Sequence, residues 1–328
     1  MIKKRVLSGI RATGRLHIGN YLGMVKGMLS LQEDPDFEVM FMVADLHAMT
    51  TPYDPQTLKS NVREVVLDYL AAGLNPEKAS VFVQSHVREH VELAYLFSTV
   101  VSIARLSHLP TYKDKVKQYP QANTVALLYY PVLMASDILL YKTHELPVGD
   151  DQLPHLEITR EIAKKMNELY GTDFPEPVQI KTKGHFVPSL TGEGKMSKSV
   201  EGSYINLTDT LDEIQQKLAK VPTDSGSAKT VPVSGGVATL FTLIELFEGE
   251  LKRIQYEKAY ISAGIKYSQL KSDLAQAIYR ELIPIQEKRR MLEAKPGYVD
   301  DVLRDGAKKA RNIASVTLRE VKEKMGLI

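Results

Sequence analysis

The sequence predicts an α/β fold, a doubly wound parallel sheet followed by a smaller, all-helical C-terminal domain. Two observations carry this. In the first half, short apolar runs alternate with longer periodic segments, the strand–helix–strand rhythm of a Rossmann-like sheet with helices on both faces. From about Asn206 the rhythm changes to helical periods with few strand-like runs. The change divides the chain into 1–205, the sheet domain, and 206–328, the helical one.

The strand runs are Val6 to Ile10, Glu38 to Ala44 and Ser80 to Gln84, apolar enough to be buried on both faces. Between the last two, Asp54-Pro55 opens a helix with an N-cap and a first-turn proline, and Gly73 closes it. Later helical periods run from Leu211 to Ala219, Leu270 to Ile283 and Ala307 to Met325. The Ser-, Thr-, Gly- and Pro-rich stretch Pro222 to Gly236 reads as a loop within the helical domain.

With 42 lysines and arginines against 40 aspartates and glutamates, net charge does not advertise a polyanionic partner, so any nucleic-acid surface is local. The chain has no cysteine, which excludes disulfides, thiolate metal sites and a cysteine nucleophile. No run of about 18 apolar residues suggests a membrane span, and the first ten residues lack a leader-like apolar core. A cytoplasmic protein is expected.

Two segments carry chemistry. The first strand runs into Arg11-Ala12-Thr13-Gly14, and His17-Ile18-Gly19-Asn20 then opens a helix. Free backbone N–H groups at a helix start favour phosphate, Gly19 lets a flat base approach the backbone, and His17 and Asn20 are donors for phosphate oxygens. An ordinary histidine-bearing turn would look similar. Far downstream, Lys195-Met196-Ser197-Lys198-Ser199 follows Gly192-Glu193-Gly194 on an expected mobile loop. Two lysines three apart suit a leaving polyphosphate whose charge grows as a bond breaks. Composition makes this pentapeptide a chance event on the order of 10⁻⁴, so it outweighs the reading as a solvated basic turn.

Together these segments resemble the "HIGH" and "KMSKS" motifs of the class I aminoacyl-tRNA synthetases, and the resemblance covers essentially the whole chain. Within the class it is strongest to the tryptophanyl branch, through Ala44 to Ala48, Tyr130 to Tyr141, Pro147 to Gln152, His155 to Arg160, Lys271 to Ala275 and Asp305 to Ala307. Asn20 stands where the motif's name has histidine, a substitution common in that branch. Arg11-Ala12 replaces the expected pair ending in proline, so the turn at Ala12 is less rigid.

The resemblance implies ATP-dependent activation of L-tryptophan and its transfer to tRNA(Trp), with Mg2+ carried by ATP as substrate, no protein metal site and, without cysteines, no iron–sulfur cluster. It places Arg11, Ala12, Thr13, Gly19, Asn20, Gly149, Asp150, Asp151, Val187 and the Lys195–Ser199 loop on ATP. His17, Asn20, Lys115, Lys195 and Lys198 carry catalysis. Tyr130, Met134 and Asp137 recur at helical spacing on one face, and that carboxylate needs a donor, which an indole N–H supplies. By resemblance Leu7, Ile138, Val148 and Gln152 complete the tryptophan pocket. Gly149-Asp150-Asp151 also reads as the N-cap of the helix that follows, and Lys113 to Lys117 as a charge run from which Lys115 reaches phosphate.

The resemblance further implies a homodimer whose helical domain, including Lys288-Arg289-Arg290 and Lys308-Lys309, reads the anticodon. The alternatives are a tyrosyl-tRNA synthetase, against which the Val148 to Gln152 run stands, a small nucleotidylyltransferase, which leaves the second motif unexplained, and a synthetase-like RNA-binding protein without catalysis, against which the intact His17, Lys195, Lys198 and Asp137 count.

Overall fold

The computed structural model describes residues 3–180, 186–198 and 200–328. Among these, the strands β1 (Lys4–Arg11), β2 (Phe37–Ala44), β3 (Ala79–Val83), β4 (Glu145–Leu146) and β5 (Val178–Gln179) form one parallel sheet in the order β3-β2-β1-β4-β5. The three strands expected from sequence are all present within one or two residues. The pair β4 and β5, two residues each, was not foreseen, because two residues cannot display a period of two.

Alternation along the strands divides the interior into two cores. Val6, Val39, Phe41, Val43 and Val81 face the layer that contains the helix Pro55–Ala72, while Leu7, Met40, Met42, Ala44 and Phe82 face the layer of Val132, Ala135, Ile138 and Leu139. This two-sided burial is why β2 shows no polar residue after Glu38. The helix Pro55–Ala72 has the expected ends: the Gln56 amide donates to Asp54 Oδ1 at 2.9 Å, and Gly73 takes a φ of 121°, open to glycine at little cost. The strand order reverses between β1 and β4, which leaves a crevice beyond the carboxyl end of β1.

After residue 205 come the helices Leu211–Ala219, Gly235–Glu248, Glu250–Ser262, Tyr267–Glu293 and Pro296–Lys324. The last does not stand apart from the sheet: it lies on β3, where a Cβ at Gly306 would sit 1.7 Å from the Val81 carbonyl oxygen, and Ala307, Ala310, Ala314, Leu318 and Val321 join the second core. It thereby covers an edge strand that would otherwise expose unpaired backbone groups.

The helix Tyr267–Glu293 packs on Pro55–Ala72 and changes the reading of one basic cluster. Arg289 is only 3% exposed; its guanidinium pairs with the buried Asp68, with Glu64 (2.7 Å) and with Glu293 (3.0 Å). Asp68 in turn accepts from the Leu16 amide, immediately before His17. Arg289 is therefore part of the scaffold under the first motif, whereas its neighbours Lys288 and Arg290 are exposed. Sequence could not separate them, since three consecutive cations hide which one faces inward. Removing one partner of a buried ion pair typically costs about 3–5 kcal/mol, whereas an exposed lysine is worth within about 0.5 kcal/mol. In urea unfolding, Arg289→Met should therefore lose about 3–5 kcal/mol and Lys288→Ala almost nothing; equal effects would contradict the assignment.

Candidate active site

At the carboxyl end of β1 the chain turns through Arg11, Ala12 and Thr13 and enters a short helix, Ile18–Asn20, whose N-cap is His17. The cap is reciprocal: the Asn20 amide donates to His17 Nδ1, and the His17 amide donates to Asn20 Oδ1, each at 3.3 Å. With Nδ1 accepting, the ring proton of a neutral His17 sits on Nε2 and can be offered to a ligand. The ring is neutral, because burial and then the charges of Lys198 and Lys195 push its pKa down to about 3. Asn20 spends its carboxamide oxygen on the cap and keeps its NH2 for a ligand. Gly19 has no room for a side chain, since a Cβ would lie 2.8 Å from His17 Nδ1 and 3.1 Å from Met196 Cβ.

That contact with Met196 joins the two motifs. Residues 187–196 fold as a small hairpin in which Pro188 bridges to Lys195 and the Met196 amide donates to the Val187 carbonyl at 3.0 Å. The following segment returns to the first motif: the Ile18 amide donates to Ile205 O (2.9 Å) and the Leu207 amide to Leu16 O (3.0 Å). Val187 and Met196 are each 4% exposed and sit in the first core. The lysines point the other way. Lys195 Nζ pairs with Asp151 Oδ2 at 2.9 Å, and Lys198 Nζ donates to Thr13 O at 3.1 Å. The loop expected to be mobile is thus held over the site by its own lysines. Burial lowers the Lys198 pKa to about 8, against the opposing pull of Asp68 and Glu64. Ser199 lies outside the described residues.

Asp150 and Asp151 do not cap the helix Leu153–Tyr170, which corrects the N-cap reading. Its N-cap is Gln152, with no side-chain capping bond. The carboxylates are engaged elsewhere, Asp151 with Lys195 and Gln152 Nε2 (2.6 Å) and Asp150 with Gln179 Nε2 (2.9 Å). Gly149 is tightly placed, with Asp151 Oδ1 only 2.6 Å from where a Cβ would be. Arg11 donates from Nη2 to Thr51 Oγ1 at 2.7 Å while its buried Nε has no partner, and it borders a cavity of about 200 Å3 shared with Ala12, Thr13 and Asn61. A larger cavity, about 380 Å3, lies among Tyr256, Asp273 and Arg280 of the C-terminal helices and includes none of these motif residues in its lining. Lys115, on the helix Pro110–Gln118, is the half-buried member of its charge run, between exposed Lys113 and Lys117. Burial and then the facing charge of Arg11 lower its pKa, so two cations converge there.

The Tyr130/Met134/Asp137 face is as expected on the helix Val125–Leu139, and Leu7, Met134, Ile138 and Val148 share its apolar cluster. The donor requirement of Asp137, however, is met within the protein. Its Oδ2 lies 2.7 Å from His47 Nε2, its Oδ1 2.7 Å from His90 Nδ1, and Gln84 Nε2 donates to both oxygens at 2.8 and 2.9 Å. Burial alone would raise the Asp137 pKa; the His47 and His90 contacts outweigh it and hold the carboxyl below its ordinary value. Tyr130 is held by His155, its hydroxyl 2.6 Å from Nε2, with Thr111 Oγ1 3.0 Å from the same nitrogen. Sequence reasoning gave His47, Gln84, His90 and His155 no role. A positional signal existed for two of them, since His47 and Gln84 immediately follow the carboxyl ends of β2 and β3, where crevice residues arise.

Comparison with known proteins agrees with this geometry. The family model described as tRNA synthetases class I (W and Y) matches residues 3–282. The tryptophan–tRNA ligase of Thermotoga maritima is 41% identical over 331 residues, covering 99% of each chain. Among solved structures, the tryptophanyl-tRNA synthetase from Mycoplasma pneumoniae superposes with a TM-score of 0.87 at 32% identity, covering 100% of this chain and 99% of that one. The tryptophanyl-tRNA synthetase from Campylobacter jejuni, complexed with ADP and tryptophan, does so with a TM-score of 0.83 at 33% identity, covering 98% and 100%. With two motifs brought together at the switch point of a doubly wound sheet and a match along nearly its full length, the chain belongs to the class I tRNA synthetases of the tryptophan and tyrosine branch.

Proposed function

We infer that this chain activates L-tryptophan with ATP and transfers the tryptophanyl group to tRNA(Trp). The observation that carries the reading is the convergence of His17, Lys195 and Lys198 around the first turn, together with the buried, preoriented Asp137 carboxylate on the helix Val125–Leu139. A tryptophan carboxylate oxygen attacks the α-phosphorus of ATP, the bond to the bridging oxygen of the β-phosphate breaks, and pyrophosphate leaves. No covalent enzyme intermediate is required, so catalysis consists of positioning and charge stabilisation.

In this reading His17 Nε2–H, the Asn20 NH2 and the Ile18–Asn20 backbone meet the phosphates. Lys195, Lys198, Lys115 and Arg11 balance charge that grows on the leaving pyrophosphate. The ion pair of Lys195 with Asp151 is exposed, 56% and 49% by side chain, and such a pair is weak enough to yield to a polyphosphate. Magnesium arrives on the ATP phosphates and adds to the same neutralisation; among the described residues no group of three or more His, Asp or Glu is placed to hold it. Asp137 accepts the indole N–H, with Tyr130 and Gln152 at the amino-acid end, and the 2′-hydroxyl of the terminal tRNA nucleotide then takes the acyl group.

The helices after residue 205, with exposed Lys288, Arg290, Lys308 and Lys309, serve the anticodon in this account. A homodimer is part of it as well. Val91, Tyr95, Ile103 and Val125 are 53–82% exposed on the packed helices Glu89–Ser98, Ile103–Ser107 and Val125–Leu139, an apolar face that a second copy would cover. No helix among the described residues is long and apolar enough to cross a membrane.

ATP–pyrophosphate exchange with single amino acids tests the substrate. Phenylalanine offers no donor to Asp137 and should fall roughly 10³-fold or more below tryptophan; tyrosine outperforming tryptophan would sink the assignment. A second expectation concerns pH. Lys198, with its pKa lowered to about 8, carries charge below that pH and loses it as pH rises, so kcat/KM for ATP should fall above about pH 8. Bound phosphates favour the charged lysine, so the alkaline limb of kcat should lie higher. Lys198→Arg stays charged and should remove that limb of kcat/KM; an unchanged limb in that variant would assign it to another group.

A further inference from the structure

Against Asp137 lies a buried box of aromatic side chains. His90 is completely buried; its ring stacks on Phe82 with centroids 6.1 Å apart, and Tyr141 stands edge-on to Phe82 at 5.4 Å. His90 Nε2 lies 2.7 Å from the Tyr141 hydroxyl and Nδ1 lies 2.7 Å from Asp137 Oδ1. The Ser136 hydroxyl, one residue before Asp137, donates to the His90 carbonyl at 2.7 Å, so the two helices are pinned at this point.

The proton assignment follows from the partners. A lone pair on Nδ1 facing a carboxylate at that distance would be repelled, so Nδ1 carries the hydrogen; its N–H is out of line with Oδ1, and the contact acts through charge and close packing rather than as a formed hydrogen bond. Nε2 then accepts from Tyr141. Burial, followed by the Asp137 and Glu89 charges, raises the Tyr141 pKa well above its usual value, so the hydroxyl keeps the proton it donates. Tyr141 thus hydrogen-bonds His90, whose opposite ring nitrogen lies against Asp137 Oδ1, and Gln84, also fully buried, fixes the carboxylate from a second side. Among the groups around Asp137, only His47 has an accessible side chain, at 12%. The oxygen it faces, Oδ2, is therefore the one a substrate donor can share.

We propose that His90, backed by Tyr141, is a positioning residue for tryptophan recognition: it holds Oδ1 of Asp137 so that Oδ2 is presented at a fixed angle to the indole N–H. The proposal rests on Asp137 accepting from the indole, and the test separates the two. Full-length protein is assayed by pyrophosphate exchange with tryptophan and with β-(benzothiophenyl)alanine, which keeps the ring shape and replaces the N–H by sulfur. Asp137→Ala removes the acceptor and tests the underlying contact, and the preference for tryptophan over the analogue should collapse by tenfold or more. His90→Leu should lower that preference roughly tenfold, through a higher KM for tryptophan, with the analogue's kinetics unchanged. His90→Asn, whose amide N–H occupies the place of Nδ1–H, should restore most of it. If His90→Leu does not fold, Tyr141→Phe decides, with an expected loss of about threefold. An unchanged preference in Asp137→Ala would remove the contact itself. A collapsed preference there, with none lost in the His90 or Tyr141 variants, or with both substrates weakened equally, would overturn the positioning role alone.

Discussion

The constraint on which the site depends is a short backbone pairing. Leu16 and Ile18 exchange hydrogen bonds with Leu207 and Ile205, which places a lysine-bearing hairpin from late in the domain directly over the turn that follows β1. A few ångströms of slip would separate Lys198 from Thr13 O and Lys195 from Asp151. The pairing is anchored from below, where Asp68 holds the Leu16 amide and is itself held by Arg289 from the helix Tyr267–Glu293. The C-terminal helices therefore contribute to the geometry of the catalytic turn, whatever they contribute to tRNA.

The second determinant is a buried charge. A carboxylate taken out of water costs several kcal/mol unless it is paired and hydrogen-bonded, and Asp137 meets that condition through hydrogen bonds with His47 and Gln84, with the His90 ring in close contact beside them. Preorganisation follows, since the acceptor is in place before any substrate arrives. In the function proposed, the partners also give selectivity its physical basis, because a ligand without a donor gains nothing from an oxygen already oriented for one.

The fold was legible where the chain is long and regular. Three strands showed as two-sided apolar runs, and the helix Pro55–Ala72 announced both its cap and its terminating glycine. The two motif segments were legible too, through the phosphate-suited side chains of His17, Lys195 and Lys198 and the bare backbone of Gly19, and the structure brings the two segments together. What escaped was set by tertiary placement. The partners of Asp137 come from separate segments after β2, after β3 and at the start of the helix Glu89–Ser98, with no common spacing. Asp150 and Asp151 have the composition of an N-cap, but Lys195 and Gln179 compete for them. Arg289 looks like its neighbours until Asp68 and Glu64 are seen beneath it.

The central claim is that Lys195 and Lys198 act on charge that develops as pyrophosphate departs, and single-turnover formation of tryptophanyl-adenylate measures this directly. Loss of one well-placed charge contact typically raises a barrier by about 3 kcal/mol, roughly a hundredfold in rate. Lys195→Ala and Lys198→Ala should each slow the single-turnover step by about that factor while tryptophan binding, followed by equilibrium titration, stays as in the parent protein. Unchanged single-turnover rates in both variants would contradict the account.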